Sequence, residues 1–390
     1  MIDFRIFTFG IIMPFVISMI ISSILHPTLV KIAKMKNLVD NPDVRKLQNN
    51  PVPVLGGFAV YAGIVVGAGI TSIFFSSYAL FTCIVALTVM LYIGEADDIQ
   101  GLKPSTRLIM EVAVIAFIVI MDKTNINDFH GLFGIHKLPV YISLPLCTIA
   151  CTGIINAINM IDGVDGLSSS LCIVACLSFG VAFALSFDGT MAVMAALAGG
   201  ALIPFFLHNV FGKESKMFIG DAGTLMMGTL LSIFCMHAID NTSRITYNFP
   251  HIGIIAFCLS VLSVPVFDTL RVMTGRIWRG ISPFQADKSH MHHLFLEIGF
   301  SHIGTAAMVV SLDILNILIW LLTWRLGGNA TVQFIVVTAV GLFNTTGLHY
   351  IIRRMSHERR PYRLLRYMAI KSHAEVTPTF HKIREYMDTH

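Results

Sequence analysis

Aspartate, asparagine, arginine and histidine collect in five short stretches of an otherwise apolar chain. The first, DNPDVRKLQNNPVPVLGG from Asp40 to Gly57, offers Arg45 and Lys46 to a phosphate or simply to the positive charge that cytoplasmic loops carry. The second, GEADDIQGLKPSTR from Gly94 to Arg107, sets Asp97 beside Asp98. Neighbouring carboxylates repel each other unless a cation or a proton sits between them. In the third, NAINMIDGVDGLSSS, Asn156 and Asn159 are three apart and share a helix face. Asp162 and Asp165 repeat that spacing, and Gly163 and Gly166 break the helix and let backbone approach a ligand. Two amides and two carboxylates together suit a hard, oxygen-ligated cation. In the fourth, HNVFGKESKMFIGDAGTLMMG, Asp221 stands where an apolar helix begins. It can cap that helix, or the free N–H groups there can hold a phosphate; for the residue taken alone, capping is the stronger reading. The fifth is PVFDTLRVMTGRIWRGISPFQADKSHMHHL. There Asp268 lies in an apolar run, where a carboxylate costs roughly 2.5 kcal/mol or more. Arg271, Arg276 and Arg279 follow, then His290, His292 and His293. Three histidines so close suit zinc, but no cysteine or fourth ligand stands at a usual spacing. Anion or nucleotide binding is the better fit.

The elements that must position these groups follow from composition. Of 390 residues, 55% are hydrophobic and 13% charged, against roughly a quarter charged in soluble domains. A soluble multidomain enzyme and a disordered chain are both excluded. The expected fold is all-α, a polytopic transmembrane helical bundle. The net charge of +4 does not suggest nucleic acid. All seven cysteines lie in apolar runs without a paired CxxC and read as reduced filler. The N-terminus lacks a basic start and a small-residue cleavage site, so the run 6–24 is expected to stay as the first span. A span needs roughly 20 apolar residues. Eleven segments qualify, near 4–27, 54–76, 78–94, 106–121, 139–158, 167–186, 190–208, 218–238, 251–274, 304–324 and 330–349.

Eleven spans put the termini on opposite sides. With the N-terminus outside, 22 of the lysines and arginines fall inside and five outside, which sets the orientation by the positive-inside rule. One transmembrane domain, 1–350, is then followed by a cytoplasmic tail, 351–390. The tail holds nine basic and four acidic residues and reads as an anchor on anionic lipid. All five polar stretches fall on the cytoplasmic side. Acidic, amide and basic groups at one interface fit a magnesium-bound phosphate substrate. A transporter or flippase would place ionisable groups near the midplane, and only Asp268 and Glu111 hint at that.

The blocks DNPDVRK…PVLGG, GEADD, NAINMIDGVDGL, FIGDAGT and PVFDTLRV…RGISPFQADKSHMHHL occur together and in order. On them the chain, over about residues 1–325, resembles the polyprenyl-phosphate N-acetylhexosamine-1-phosphate transferases. Its nearest branch resembles the bacterial undecaprenyl-phosphate N-acetylglucosamine-1-phosphate transferases. The resemblance implies a multi-pass protein of the bacterial inner membrane with its active site on the cytoplasmic face. It implies transfer of a sugar 1-phosphate, most simply GlcNAc-1-phosphate, from a UDP-sugar to undecaprenyl phosphate. UMP leaves, and the product starts a lipid-linked cell-envelope glycan such as that of lipopolysaccharide. It implies magnesium, with manganese as an alternative ion, and leaves room for a homodimer.

By the same resemblance, Asp97 and Asp98 match the paired aspartates assigned to deprotonating or positioning the lipid phosphate. Asn159 and Asp221 match magnesium-holding residues, and Asn156, Asp162 and Asp165 line the same site. His290, His292 and His293 match a block associated with the nucleotide-sugar, and Arg276 and Arg279 are diphosphate contacts. Gln48 and Gly101 stand where the family often has a histidine and an acidic residue. A phospho-MurNAc-pentapeptide transferase is the alternative within the family, and the SPF…HMHH loop favours the small-sugar branch.

Overall fold

The computed structural model describes residues 8–40, 51–73, 78–285 and 287–389. In lipid every backbone N–H and C=O must be bonded within its own segment, so apolar runs of span length become helices. The first is α1 (Met13–Lys36), entered through a π turn at Thr8–Ile12. A small ladder, β1 (Val39–Asp40) against β2 (Val52–Pro53), follows it. Then come α2 (Gly56–Thr71), α3 (Tyr78–Gln100) and α4 (Pro104–Asp122). The hairpin β3 (Asp128–Leu132) and β4 (Ile135–Lys137) links α4 to α5 (Val140–Met160). Helices α6 (Leu167–Leu185), α7 (Gly189–Phe211) and α8 (Gly220–Ile239) complete the first half. The second half holds α9 (Arg244–Asn248), α10 (Ile254–Val261), α11 (Ser263–Trp278), α12 (Met291–Ile298), α13 (His302–Arg325) and α14 (Ala330–Leu342). A π turn at Phe343–Gly347 carries α14 on into α15 (Leu348–Arg354), and α16 (Arg360–Lys371) and α17 (Pro378–Thr389) close the chain.

The protein is a polytopic helical membrane protein. Among the described residues, nine helices are long and apolar enough to cross a bilayer. Each of the eleven expected spans has a helical counterpart, with two differences. Helix α2 has 16 residues, about 24 Å of helix, and is short for a span. The expected span 251–274 is broken: α10 and α11 meet at a bend of 76°. Pro265 has no N–H to continue the ladder. The N–H of Val264 and the hydroxyl of Ser263 turn instead to Oδ1 of Asp313 on α13, at 2.9 and 3.0 Å. The strand pairs, absent from an all-helical reading, are confined to connections.

Helix α8 is the axis of the bundle, and 94% of its apolar window is buried. Three neighbours reach it through glycine. A Cβ on Gly94 of α3 would lie 2.3 Å from the Cα of Ala222. One on Gly57 of α2 would lie 2.6 Å from the N of Gly223, and one on Gly228 of α8 itself 2.7 Å from the Cα of Ile155 on α5. Small residues let helix backbones approach where lipid gives no hydrophobic drive between them. The last turns of α3 and α5 are thereby fixed beside the first turn of α8.

Part of the tail packs on the body. Ala369 and Phe380 are buried, and Ser301 Oγ donates to the Ser372 carbonyl at 2.6 Å. The segment is more than a solvated anchor.

The glycine contacts predict an asymmetry. Gly94→Val is expected to lower stability by ~1–3 kcal/mol or more, because the clash is with backbone. Gly69→Ala, whose new methyl meets nothing within 4 Å, is expected to cost nothing. Thermal unfolding of both variants in detergent checks this, and equal melting would refute the backbone contact.

Candidate active site

The N-terminal N–H groups of a helix have no partner within it. Those of α8 find one on α3: the N–H of Asp221 donates to Asp98 Oδ1 at 3.1 Å and that of Ala222 to Oδ2 at 3.2 Å. Asp221 therefore does not cap its own helix. Gly220, at φ 71°, permits the tight entry, and a Cβ there would strike Asp98 Oδ2 at 2.6 Å.

Asp221 is instead a free-facing carboxylate of the site. Its Oδ1 accepts from Asn159 Nδ2 at 2.7 Å. Its Oδ2 lies 3.7 Å from Arg107. Arg107 is the hub. It donates to Asp97 Oδ2 at 3.0 Å and to Asn156 Oδ1 at 3.3 Å, and its Nε stands 3.5 Å from the buried Glu111. Asn156 Nδ2 closes the ring on Glu111 Oε2 at 2.6 Å. The paired aspartates thus diverge, Asp97 toward Arg107 and Asp98 toward α8. Arg107 and Glu111 enter the sequence reading only as a loop charge and a hint of transport. Their i,i+4 spacing allows the ion pair, but not the closure of the ring, which needs Asn156 from α5.

The turn after α5 carries Asp162 and Asp165. Ser168 Oγ donates to Asp162 Oδ1 at 2.5 Å. Asp162 is exposed toward the cavity, and desolvation by the surrounding protein, with the neighbouring Asp221 and Asp165, pushes its carboxyl up to about 6. Burial acts on Asp165 in the same sense, but there His302 at 2.8 Å and Lys216 at 2.6 Å outweigh it and hold the carboxyl below its usual range. Gly166, at φ 77°, closes the turn, and its N–H donates to Asn209 Oδ1 at 2.7 Å.

The histidine block divides. His290 Nδ1 bonds Asp268 Oδ2 at 2.9 Å, and Arg271 holds Oδ1 at 2.6 Å. His292 is buried against Gly163, where a Cβ would lie 2.6 Å from its Nε2. Burial and the neighbouring histidines push it down to about 3, so it is neutral. Only His293 of the three reaches the cavity. Arg276 and Arg279 do not line it. Both are tied to Asp287, at 2.9 and 3.0 Å, and Arg276 is 2% exposed. They brace the loop before α12. Arg45 and Lys46 lie outside the described residues.

A cavity of about 500 Å³ opens among these groups. Its lining includes Asp40, Asp98, Asp162, Asp165, Asp221 and His293, at least one residue from each of the five stretches. Lys216 and His302, which no motif singles out, also line it. Five carboxylates against one lysine would repel an anionic substrate unless a cation came with it. The donors are hard oxygens, which suit such an ion. Among the described residues no three His, Cys, Asp or Glu side chains converge as a metal cage. That donor set fits an ion held by one or two carboxylates together with substrate phosphates, and it gives zinc at the histidine block no support.

The model of glycosyl transferase family 4 matches residues 80–239. The chain is 30% identical over 278 residues to the undecaprenyl-phosphate alpha-N-acetylglucosaminyl 1-phosphate transferase of Escherichia coli (strain K12), covering 70% of this chain and 72% of that one. It is 28% identical over 293 residues to a probable undecaprenyl-phosphate N-acetylglucosaminyl 1-phosphate transferase of Bacillus subtilis (strain 168), covering 75% and 79%. A Yersinia pestis protein carrying the first of those names is 27% identical over 277 residues, covering 70% and 73%.

The ring around Arg107 makes its own prediction. Arg107→Met strands Glu111, which is 0% exposed, and is expected to cost about 3–5 kcal/mol. Adding Glu111→Gln removes the stranded charge and is expected to recover part of that loss. Thermal unfolding of the single and double variants decides it, and a double variant less stable than Arg107→Met would refute the arrangement.

Proposed function

The chain belongs to glycosyl transferase family 4 and is a sugar-1-phosphate transferase that acts on a polyprenyl phosphate, and we propose that it transfers GlcNAc-1-phosphate from UDP-GlcNAc to undecaprenyl phosphate. The observation that carries the reading is the single cavity lined from all five sequence stretches. A phosphate oxygen of the lipid bonds to the sugar-bearing phosphorus, the bridging P–O bond breaks, and UMP leaves with that oxygen. Undecaprenyl-diphospho-GlcNAc, the start of a cell-envelope glycan, is the product.

Such a transfer asks a protein mainly for positioning and charge neutralisation. Asp221 and Asn159, at 2.7 Å from each other, would hold magnesium, or manganese in its place, together with the substrate phosphates. Bound there, the ion supplies charge neutralisation on the diphosphate and makes UMP a better leaving group. Asp98 faces the lipid phosphate from the end of α3, and the Asp97–Arg107 pair fixes that end. Lys216 and His293 face the nucleotide-sugar across the cavity. Asp162 and Asp165 shape its floor from a turn that glycine makes tight. The site sits where helices end, so the lipid tail stays in the bilayer while its phosphate meets a soluble nucleotide. The excess of lysine and arginine on the same side supports a cytoplasmic site in the bacterial inner membrane.

Purified protein with undecaprenyl phosphate is expected to release UMP from UDP-GlcNAc, and not from UDP-MurNAc-pentapeptide or UDP-GalNAc. EDTA is expected to abolish release and added magnesium to restore it. Asp221→Ala is expected to lower the rate by on the order of 100-fold or more while the protein still folds. UMP from another donor alone would change the sugar assignment, and full turnover by Asp221→Ala would overturn the site.

A further inference from the structure

The last helix, α17, lies outside the matched residues 80–239, yet it is bonded to the loop that feeds the site. Oδ1 of Asp388 accepts the N–H groups of Lys213, Glu214 and Ser215 at 2.9, 3.0 and 3.0 Å, and the hydroxyl of Ser215 at 2.9 Å. Three successive amides turned on one oxygen form an anion nest. A carboxylate near a helix C-terminus is unfavourably placed with respect to its own helix dipole, so the loop donors offset a cost that α17 imposes. Burial favours the protonated acid, but the four donors outweigh it and hold Asp388 below the usual range. The helix is seated beside them: Phe380 packs on Phe211 with ring centres 5.2 Å apart, and Arg384 Nε donates to the Phe211 carbonyl at 3.4 Å.

The far side of the same loop is held by α1 and α7. The Ser215 hydroxyl meets His208 Nδ1 at 3.0 Å, and the Ser215 carbonyl meets His26 Nε2 at 2.9 Å. Those two histidine rings stack at 4.1 Å. Lys34 Nζ reaches the Glu214 carbonyl at 2.9 Å. The next residue along is Lys216, whose ammonium enters the cavity and bonds Asp165 Oδ2 at 2.6 Å. One peptide bond therefore separates the nest from a cavity-lining cation.

We propose that Asp388 is a positioning residue for the transferase, pinning the 213–215 turn so that Lys216 is presented to the nucleotide-sugar beside Asp165. The inference rests on the activity proposed above. It makes the C-terminal helix a working part of the site, since a free loop of this length would cost ordering entropy at every binding event.

The test uses the full chain in detergent, measuring UMP release at saturating undecaprenyl phosphate with the UDP-sugar varied. Asp388→Ala is expected to raise KM for the UDP-sugar roughly tenfold with little change in kcat, the pattern of a lost ground-state contact to a charged group. Lys216→Met is expected to do the same. The double variant is expected to be no worse than the weaker single, because both changes remove one interaction. A wild-type KM in Asp388→Ala, or a double variant in which the two losses multiply, would overturn the proposal. If Asp388→Ala is recovered only as aggregate, Asp388→Asn keeps the shape and a neutral acceptor. A smaller rise in KM for it supports the proposal, and a wild-type KM beside the aggregated alanine variant assigns Asp388 to folding alone. A wild-type protein inactive with every donor defeats the activity itself, whereas an active wild type with an unaltered Asp388→Ala defeats only this inference.

Discussion

The N-terminus of the most buried helix must find hydrogen-bond acceptors in the protein interior. An unbonded amide there costs about 1–3 kcal/mol, and α8 offers those of Asp221 and Ala222. Asp98, on the last turn of α3, accepts both. Much of the site follows from that one requirement. For Asp98 to reach α8, the helix backbones must nearly touch one turn earlier, and Gly94 against Ala222 allows it. With Asp98 committed to the amides, the Asp221 side chain is released from capping and turns toward Asn159 and Arg107. The residue that looks from sequence like a helix cap is therefore free for a ligand, because a partner helix caps in its place.

Charge is the second constraint. Asp97, Glu111 and Asp221 surround one guanidinium, and Asp98 adjoins them. Like charges this close are tolerated only with cations or protons among them. Arg107 supplies one cation permanently, and a divalent ion arriving with a diphosphate would supply the rest. With such an ion the acidic lining would discriminate: a bare anion would be repelled, and an anion carrying its ion would not. A site of this design need not contain a full metal cage, and none is found among the described residues.

What the sequence made legible divides along physical lines. Spans are readable because apolar length is a local property, and every one of the eleven segments holds a helix. The break at Leu262 is less so, since Pro265 is visible but its compensating carboxylate, Asp313, is about fifty residues away. The cavity residues Asp98, Asp162, Asp165, Asp221 and His293 stand out as polar groups in apolar surroundings. Arg107, Lys216 and His302 do not, because each is an ordinary polar residue in a connection or at a helix edge until the fold brings a carboxylate to it. Arg276 and Arg279 mislead for the converse reason. Their partner Asp287 is near in sequence, in the loop that follows α11, and an arginine beside an aspartate is more often satisfied by it than by a substrate.

The histidine block carries the same lesson into chemistry. His290, His292 and His293 are nearly consecutive, so sequence spacing suggests one shared ligand. A helix start separates them instead. His290 precedes α12 and bonds Asp268, whose second oxygen is held by Arg271. His292 points into the packing against Gly163, neutral and buried. His293, one residue on and about 100° around the helix, faces the cavity. The first two lock α12 to α11 and to the Asp162 turn, so that the third lines the same cavity as Asp165. A cluster of identical residues thus does three different jobs. Beyond the bend of 76° after α10, α11 holds Asp268 fully buried, where His290 and Arg271 share its two oxygens.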